Sequence, residues 1–230
     1  MRMRKLGRMI RRRYLTASVF LAAFLAVTAI DAVLPPRDRQ ALAAWASTSV
    51  ANLEHHPVAS LVLSAFIAGG SAALWPVLIA LALFGANRAL GSVRAAVILA
   101  AAHVIGTLVS EGIVAYRVDA GLLPVSFRHL LDVGPSYVVV AAAVVALVSG
   151  SWPARGAAAL DLAALVIGGR IFAGLSSLDV AAVGHVTAMA VAACALLLLL
   201  RVRAARRARR TAANPPSPPR DPGAASSALA

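Results

Sequence analysis

The chain has 230 residues, of which 60% are hydrophobic and 13% are charged, and its mean hydropathy is +0.82. A soluble core of this length cannot bury so much apolar surface, so the composition excludes a soluble globular protein and favours a polytopic membrane protein. The formal charge of +13 is carried mainly at the two ends and in short loops, where basic residues determine topology and contact lipid headgroups. Since no basic face carries interleaved aromatic residues, we expect no nucleic-acid partner.

Six apolar runs predict an all-α bundle of six transmembrane helices. The first run follows a basic block over residues 1–13; it is longer than the apolar part of a cleaved signal peptide, and no small-x-small cleavage site follows it. The predicted spans are residues 14–33, 58–84, 95–114, 136–148, 157–175 and 180–200. The glycine pair at 69–70 and Pro76 interrupt the second of them. The membrane domain is therefore predicted to cover residues 14–200.

The connecting segments are predicted to be an interfacial segment, short turns and one longer polar loop. Residues 38–57 have an amphipathic part with Trp45, which suits a membrane interface. The other connections are residues 85–94, 116–131, 149–156 and 176–179. Residues 201–230 begin with arginines and end in a Pro/Ala/Ser-rich stretch that cannot form a core, so they are predicted to be a basic and then disordered tail.

The distribution of basic residues predicts the orientation of the bundle. With six spans both termini lie on one side, and this side also receives Arg88, Arg94 and Arg155. On the opposite side, carboxylates offset the few basic residues. The usage rich in Ala, Arg and Gly with a single lysine indicates a bacterial source. We therefore expect a multi-pass protein of the bacterial plasma membrane with both termini in the cytoplasm and anionic lipid headgroups as partners of its basic ends.

A serine and a histidine lie at matching positions of two predicted spans. Ser136 begins the fourth span after Gly134 and Pro135, which allow a sharp turn, and His185 follows Gly184 in the sixth. Both spans start on the outer side, so at a rise of 1.5 Å per residue the two side chains lie at similar depths. If the spans pack together, the pair forms an activated nucleophile, with helix-start N–H groups beside it for an oxyanion. Taken separately, Ser136 also fits a helix N-cap and His185 a helix-packing residue.

Four segments carry a resemblance to a known family. They are residues 52–66 (NLEHHPVASLVLSAF), 90–92 (LGS), 132–137 (DVGPSY) and 184–185 (GH). With six spans, they resemble the rhomboid family of intramembrane serine proteases, and more narrowly a divergent rhomboid-like branch from actinobacteria. The resemblance implies a Ser-His dyad, here Ser136 and His185, which cleaves membrane-anchored proteins near the outer leaflet without a metal or other cofactor. It implies turn and oxyanion support from Gly134, Pro135 and Tyr137.

The chain departs from the family pattern at several places. The family has a glycine after the serine and an aromatic residue four positions after it that packs on the dyad histidine; this chain has Tyr137 and Val140 there. The family's second span carries a histidine and an asparagine that help to hold the oxyanion, and residues 72–77 contain neither. The glycine usually found three residues after the histidine is Ala188. Losing one oxyanion donor typically costs about two to three orders of magnitude in rate.

Three hypotheses for the function follow. The first is a serine-type intramembrane endopeptidase, which the serine and histidine favour. The second is a non-proteolytic rhomboid-like protein that binds or escorts transmembrane helices, which the missing oxyanion residues favour. The third is a small transporter, but the sequence shows no inverted repeat. In all three the partners are transmembrane proteins or small solutes, and no metal is expected.

Other polar residues lie within the predicted spans. His103, Thr107 and Glu111 are spaced four apart in the third span, so they share one helix face. We expect them to link helices; a proton relay or a metal site is the alternative, although no third metal ligand is near in sequence. Arg170, in the predicted fifth span, lies at a depth similar to that of Glu111, which predicts a structural ion pair between them.

Overall fold

The computed structural model describes residues 2–69 and 72–213, and within these ranges it is helical and contains no strand. The helices are α1 (Arg2–Val33), α2 (Pro36–Ala46), α3 (Val50–His55), α4 (Pro57–Leu63), α5 (Trp75–Leu90), α6 (Ser92–Asp119), α7 (Ser136–Ser149), α8 (Trp152–Ile167) and α9 (Val180–Ala213). Short 3-10 turns lie at Ser64–Phe66, Val125–His129 and Leu175–Ser177. The predicted all-α class is therefore confirmed.

Within the described residues, three helices are long and apolar enough to cross a membrane: Arg13–Val33, Ser92–Asp119 and Val180–Arg210. Shorter apolar helices are Pro57–Phe66, Trp75–Leu90 and Ser136–Ser149. Helix α7 has 14 residues and so rises about 21 Å, less than the roughly 30 Å of a bilayer's hydrocarbon core. The count of six spans therefore stays a prediction.

The second predicted span, 58–84, is not a single helix. Its two halves form α4 and α5, and Gly69 lies in the break between them. Pro76 occupies the first turn of α5, where its missing N–H leaves no hydrogen bond unmade. A Cβ at Gly69 would lie 3.0 Å from the carbonyl oxygen of Val133. The break therefore brings the chain against the segment that leads into α7.

The predicted turn at 85–94 is much shorter than expected. Helix α5 continues to Leu90 and α6 begins at Ser92, so that Gly91 alone separates them. Gly91 has a φ of 79°, a left-handed conformation that favours glycine. The two helices are therefore joined by a tight corner.

Helix α8 ends earlier than the predicted fifth span, 157–175. Its last residue is Ile167, and the N–H groups of Gly168 and Gly169 bond back to the carbonyl of Ala164 at 2.8 and 3.1 Å. Arg170 then has a φ of 48° and is exposed. The helix ends at this glycine pair, where a Cβ at Gly168 or Gly169 would lie 2.9 or 2.8 Å from a backbone carbonyl oxygen of the preceding turn.

Helix α9 begins at Val180 as predicted but runs beyond the predicted end of the last span to Ala213. Alanine and arginine, which dominate this extension, are strong helix formers. The predicted disorder of residues 214–230 lies outside the described residues. The chain divides into two compact units between Ala195 and Leu196. The first contains α1–α8, the start of α9 and the candidate site residues; the described part of the second is the rest of α9.

Helix α7 forms the centre of the first unit and packs against α5, α6 and α8. Its side chains from Tyr137 to Ala143 are all buried. These residues are mostly valine and alanine, whose small side chains let neighbouring helices approach closely. At Gly85 of α5, a Cβ would lie 2.9 Å from the Cβ of Ala146 and 3.6 Å from that of Ala154. Such close packing holds the start of α7, where the candidate site lies.

Candidate functional site

The candidate base, His185, lies in the second turn of α9 and is 4% exposed. Asp179 caps this helix, because its Oδ1 accepts from the N–H groups of Ala181 and Ala182 at 3.1 and 3.3 Å. The Nδ1 atom of His185 lies 3.1 Å from the carbonyl oxygen of Ile171. A carbonyl only accepts, so Nδ1 carries the hydrogen and Nε2 is left as a free acceptor. Among the described residues, Nε2 has no hydrogen-bond partner.

The candidate nucleophile, Ser136, is the first residue of α7 and is half-buried. It lines a narrow cleft, called here the Ser136 cleft. The other lining residues are Thr48, Ser64, His103, Asp132, Val133, Gly134 and Tyr137. His185 is not among them, and no hydrogen bond joins Ser136 to His185 within the described part of the chain. The dyad interaction is therefore not formed in this conformation.

The side chain that does meet His185 is Tyr137. The two rings are edge-to-face, with centroids 5.1 Å apart and planes at 89°. The Tyr137 hydroxyl lies 3.2 Å from Asp132 Oδ2 and 3.2 Å from the carbonyl oxygen of Val180. A Cβ at Gly184 would lie 2.1 Å from the Tyr137 ring, so only glycine fits there. Gly184 is thus the point at which the Tyr137 ring approaches α9 most closely.

The turn that leads into α7 is shaped by glycine, as the sequence predicts. Gly134 has a φ of 136°, in the range that favours glycine, and Pro135 follows as the N-cap. The N–H of Gly134 donates to the carbonyl of Ser64 at 2.8 Å. This N–H group is therefore already occupied and does not point freely at an oxyanion.

A second histidine, rather than His185, shares the cleft with Ser136. His103 on α6 is 7% exposed, and its Nε2 lies 2.8 Å from the carbonyl oxygen of Leu61 on α4. Because this carbonyl accepts, Nε2 carries the hydrogen and Nδ1, which has no partner among the described residues, is an acceptor. His103 thus links two helices, as expected, and also lies beside the serine, which the sequence did not indicate.

The predicted ion pair between Glu111 and Arg170 is not formed. Glu111 is 1% exposed, and neither of its carboxylate oxygens has a hydrogen-bond partner among the described residues. Arg170 lies in the exposed turn after α8, because the glycines at 168 and 169 end that helix before it. Nor, in the part of the chain that the structure describes, do three His, Cys, Asp or Glu side chains lie together as metal ligands.

Sequence reasoning missed the contacts that hold the entry of α7. The N–H and the hydroxyl of Thr48 donate to the carbonyl of Asp132 at 3.0 and 3.1 Å, and the N–H of Asp132 donates to Ser47 Oγ at 2.9 Å. Burial raises the pKa of Asp132, while hydrogen bonds from Thr48 and Tyr137 oppose the shift. A Ser-Thr-Ser run before α3 signals a helix cap, but no local pattern shows that its partner lies about 85 residues further on.

Comparison with known proteins supplies the family. The chain matches the family described as rhomboid-like protein over residues 9–206. It belongs to this family. No curated protein and no solved structure matches the chain. The family and the apolar helices together make the chain a multi-pass membrane protein; the bacterial plasma membrane and the cytoplasmic termini stay predictions.

The contact between Tyr137 and His185 resembles one feature of the rhomboid pattern. In that pattern an aromatic residue four positions after the serine packs on the histidine. The structure gives this role to Tyr137 and not to Val140. Four positions before Tyr137 is Val133, and Gly134 follows it, as a glycine follows the serine in the pattern. The nucleophile position of the pattern therefore has two candidates in this chain: Ser136 from the sequence and Val133 from the observed contact.

Proposed function

We propose that this protein is a non-proteolytic member of the rhomboid-like family that binds transmembrane helices of other proteins. The observation that carries the proposal is the packing of the Tyr137 ring on His185. If the family pattern is counted back from this contact, the nucleophile position falls on Val133, whose side chain has no hydroxyl, and this supports the proposal. A histidine with a free Nε2 cannot act as a general base without a nucleophile beside it.

Two further observations support the absence of hydrolysis. The N–H of Gly134 is used by the carbonyl of Ser64, so it does not stabilise an oxyanion. Residues 72–77 contain neither the histidine nor the asparagine of the family pattern. Each lost oxyanion donor typically costs about 10²–10³ in rate. The losses concern the nucleophile and the oxyanion donors separately, so restoring the hydroxyl alone should return only a small part of the reactivity toward a serine-directed probe.

The binding half of the proposal is supported by an apolar groove in the first unit. The groove has a volume of about 200 Å³ and lies between α1, α4, α5 and α6. Its lining includes Phe20, Val62, Phe66, Leu83, Leu99 and Val138. In a bilayer, helices associate through close packing of side chains rather than through exclusion of water. A transmembrane helix can therefore pack against more side chains in this groove than on a flat, lipid-facing helix surface.

The alternative function is an intramembrane serine protease that uses Ser136 and His185. One observation favours it: His185 has the tautomer of a general base, since Nδ1 donates to Ile171 and Nε2 is free. For this function the start of α7 would have to rotate so that Ser136 replaces Tyr137 beside His185.

A serine-directed fluorophosphonate probe separates the two functions. We expect no labelling of the purified protein above a heat-denatured sample, and no difference between wild type and Ser136→Ala. Labelling that Ser136→Ala abolishes would establish the protease. A second experiment tests whether Val133 holds the nucleophile position. We expect the probe to label Val133→Ser, and we expect the additional change His185→Ala to remove this labelling. Labelling of Val133→Ser that persists without the histidine would contradict the assignment.

Site-specific photo-cross-linking in living cells tests the binding half. Photoreactive p-benzoylphenylalanine replaces Val62, which lines the groove and is 53% exposed. The control position is Leu160 on α8, which is 70% exposed and does not line the groove. We expect adducts at Val62 whose cross-linked peptides map to transmembrane segments, and far fewer at Leu160. Equal yields at both positions would indicate random collision in the bilayer.

A further inference from the structure

We propose that Arg13, Arg88 and Arg94 form a binding site for the phosphate headgroup of an anionic phospholipid. The site, called here the basic corner, lies where α5 turns into α6 beside α1. It is independent of the Ser136 cleft and of the function proposed above. The evidence is the arrangement of the three arginines, the absence of carboxylates around them and the exposed aromatic residue near them.

A polar network brings the three arginines together. Ser92 Oγ donates to the carbonyl of Arg13 at 2.8 Å and lies 3.3 Å from Asn87 Nδ2, which donates to it. Thr16 Oγ1 donates to the carbonyl of Ser92 at 2.8 Å. Asn87 is 0% exposed and Ser92 is 8% exposed. The network therefore ties α1 to the corner at Gly91 and fixes the backbone from which the arginines extend.

The arginine side chains point out from this corner. The guanidinium of Arg13 donates to the backbone carbonyl of Arg88, in the last turn of α5. Arg94 lies in the first turns of α6 and is exposed, as are the other two. Like charges on one surface repel, and a bound anion reduces this repulsion. A phosphate presents pairs of oxygens that a planar guanidinium group binds through two parallel hydrogen bonds.

The arginines at the opposite end of α6 are in a different situation. Arg128 pairs with Glu54 and, at 3.0 Å, with Asp119, and Arg39 lies 3.5 Å from Asp31. Helix α6 has 28 residues, so its ends lie about 40 Å apart. Within the described residues no ion pair joins Arg13, Arg88 or Arg94 to a carboxylate. Arg39 and Arg128 are thus paired with carboxylates, whereas the three arginines of the basic corner are left for a ligand.

The depth of the basic corner suits a lipid headgroup. Helix α8 begins beside α5, because Ala154 lies next to Gly85, one turn before Arg88. In this first turn of α8, Trp152 is 84% exposed and the guanidinium of Arg155 lies 5.9 Å from its ring centroid. Exposed tryptophan is enriched at the membrane–water interface. The corner is therefore placed at the level where phospholipid phosphates lie.

Native mass spectrometry of the purified full chain in a charge-neutral detergent tests this site. Phosphatidylglycerol and phosphatidylcholine are titrated against wild type and against the triple variant R13Q/R88Q/R94Q. We expect wild type to prefer phosphatidylglycerol, and the triple variant to bind it about fivefold more weakly for each arginine replaced. The matched control, R37Q/R39Q/R128Q, loses the same charge at the other end, and we expect it to keep wild-type affinity.

Two single-residue variants test the proposal even if the triple variant misfolds. The Arg94 side chain forms no hydrogen bond with the described residues, so Arg94→Gln should keep the thermal stability and still lose about fivefold in affinity. Arg94→Lys keeps the charge and should keep most of the affinity. The proposal is overturned if wild type shows no preference for phosphatidylglycerol. It is also overturned if the two triple variants lose affinity equally, because binding would then follow net charge alone.

Discussion

Two neighbouring residues at the start of α7 differ in their relation to the candidate base, His185. Tyr137 packs on His185 of α9, whereas Ser136 lines a cleft with His103 of α6. Consecutive residues of an α-helix point about 100° apart, so one position along the chain decides which neighbouring helix a side chain meets. The comparison shows that a serine and a histidine at matching depths are not sufficient for a catalytic pair. Whether the two side chains meet depends on the rotation of the serine-bearing helix about its own axis.

The comparison predicts that truncating Tyr137 to alanine lowers the unfolding free energy far more than truncating Ser136 does. Tyr137 is 3% exposed and fills the space over Gly184, so Tyr137→Ala should lower the unfolding free energy by about 3–5 kcal/mol. Ser136 is half-buried and forms no hydrogen bond with His185, so Ser136→Ala should change it by less than about 0.5 kcal/mol. Unfolding by sodium dodecyl sulfate in mixed micelles measures both. Equal costs would show that the serine is as important to the packing as the tyrosine.

Adding a methyl group at Gly184, on the other side of the contact with Tyr137, should lower the unfolding free energy somewhat less than Tyr137→Ala does. A Cβ at Gly184 collides with the Tyr137 ring, so Gly184→Ala should destabilise by about 2–3 kcal/mol. The matched control is Gly112→Ala in α6, where a Cβ meets nothing within 4 Å. An exposed helical glycine replaced by alanine should stabilise by about 1 kcal/mol or less. If both variants behave alike, the ring does not lie over Gly184.

The smallest predicted effect concerns the carboxyl group beside the Tyr137 hydroxyl. Burial raises the pKa of Asp132 above its ordinary value of 3.8. A carboxyl group whose pKa is higher in the folded state stabilises the fold when protonated, and this contribution is lost as the pH rises through the folded pKa. The unfolding free energy of wild type should therefore fall as the pH rises above 4, and more steeply than that of Asp132→Asn. Asp38→Asn, at an exposed position, should follow wild type; a parallel pH profile for Asp132→Asn would contradict the burial.

Helix positions were largely predictable from the sequence, because apolar runs and punctuating residues are local signals. Helices α7 and α9 begin at Ser136 and Val180, where the sequence places them after a Gly-Pro turn and an aspartate. The error at the fifth span has a local cause as well. The glycine pair at 168–169 fits both a close helix contact and a helix end, and only the structure shows that α8 ends before it.

The rotation of α7 was not predictable, because this helix is apolar on every side. The run from Tyr137 to Ala143 is buried throughout, so no polar face marks the side that meets α9. The contacts of Thr48 with Asp132 and of His103 with Leu61 join residues distant in the chain, and no local pattern encodes them. The tertiary packing alone places Tyr137, and not Ser136, against His185.

Disulfide trapping between paired cysteines tests this assignment most directly. In a Cys194→Ala background, one protein carries Ser136→Cys with His103→Cys, and the other carries Ser136→Cys with His185→Cys. Under mild oxidation in the membrane we predict the faster cross-link in the pair that includes position 103, because both residues line the Ser136 cleft. A faster cross-link between positions 136 and 185 would place the serine beside His185 and contradict the account.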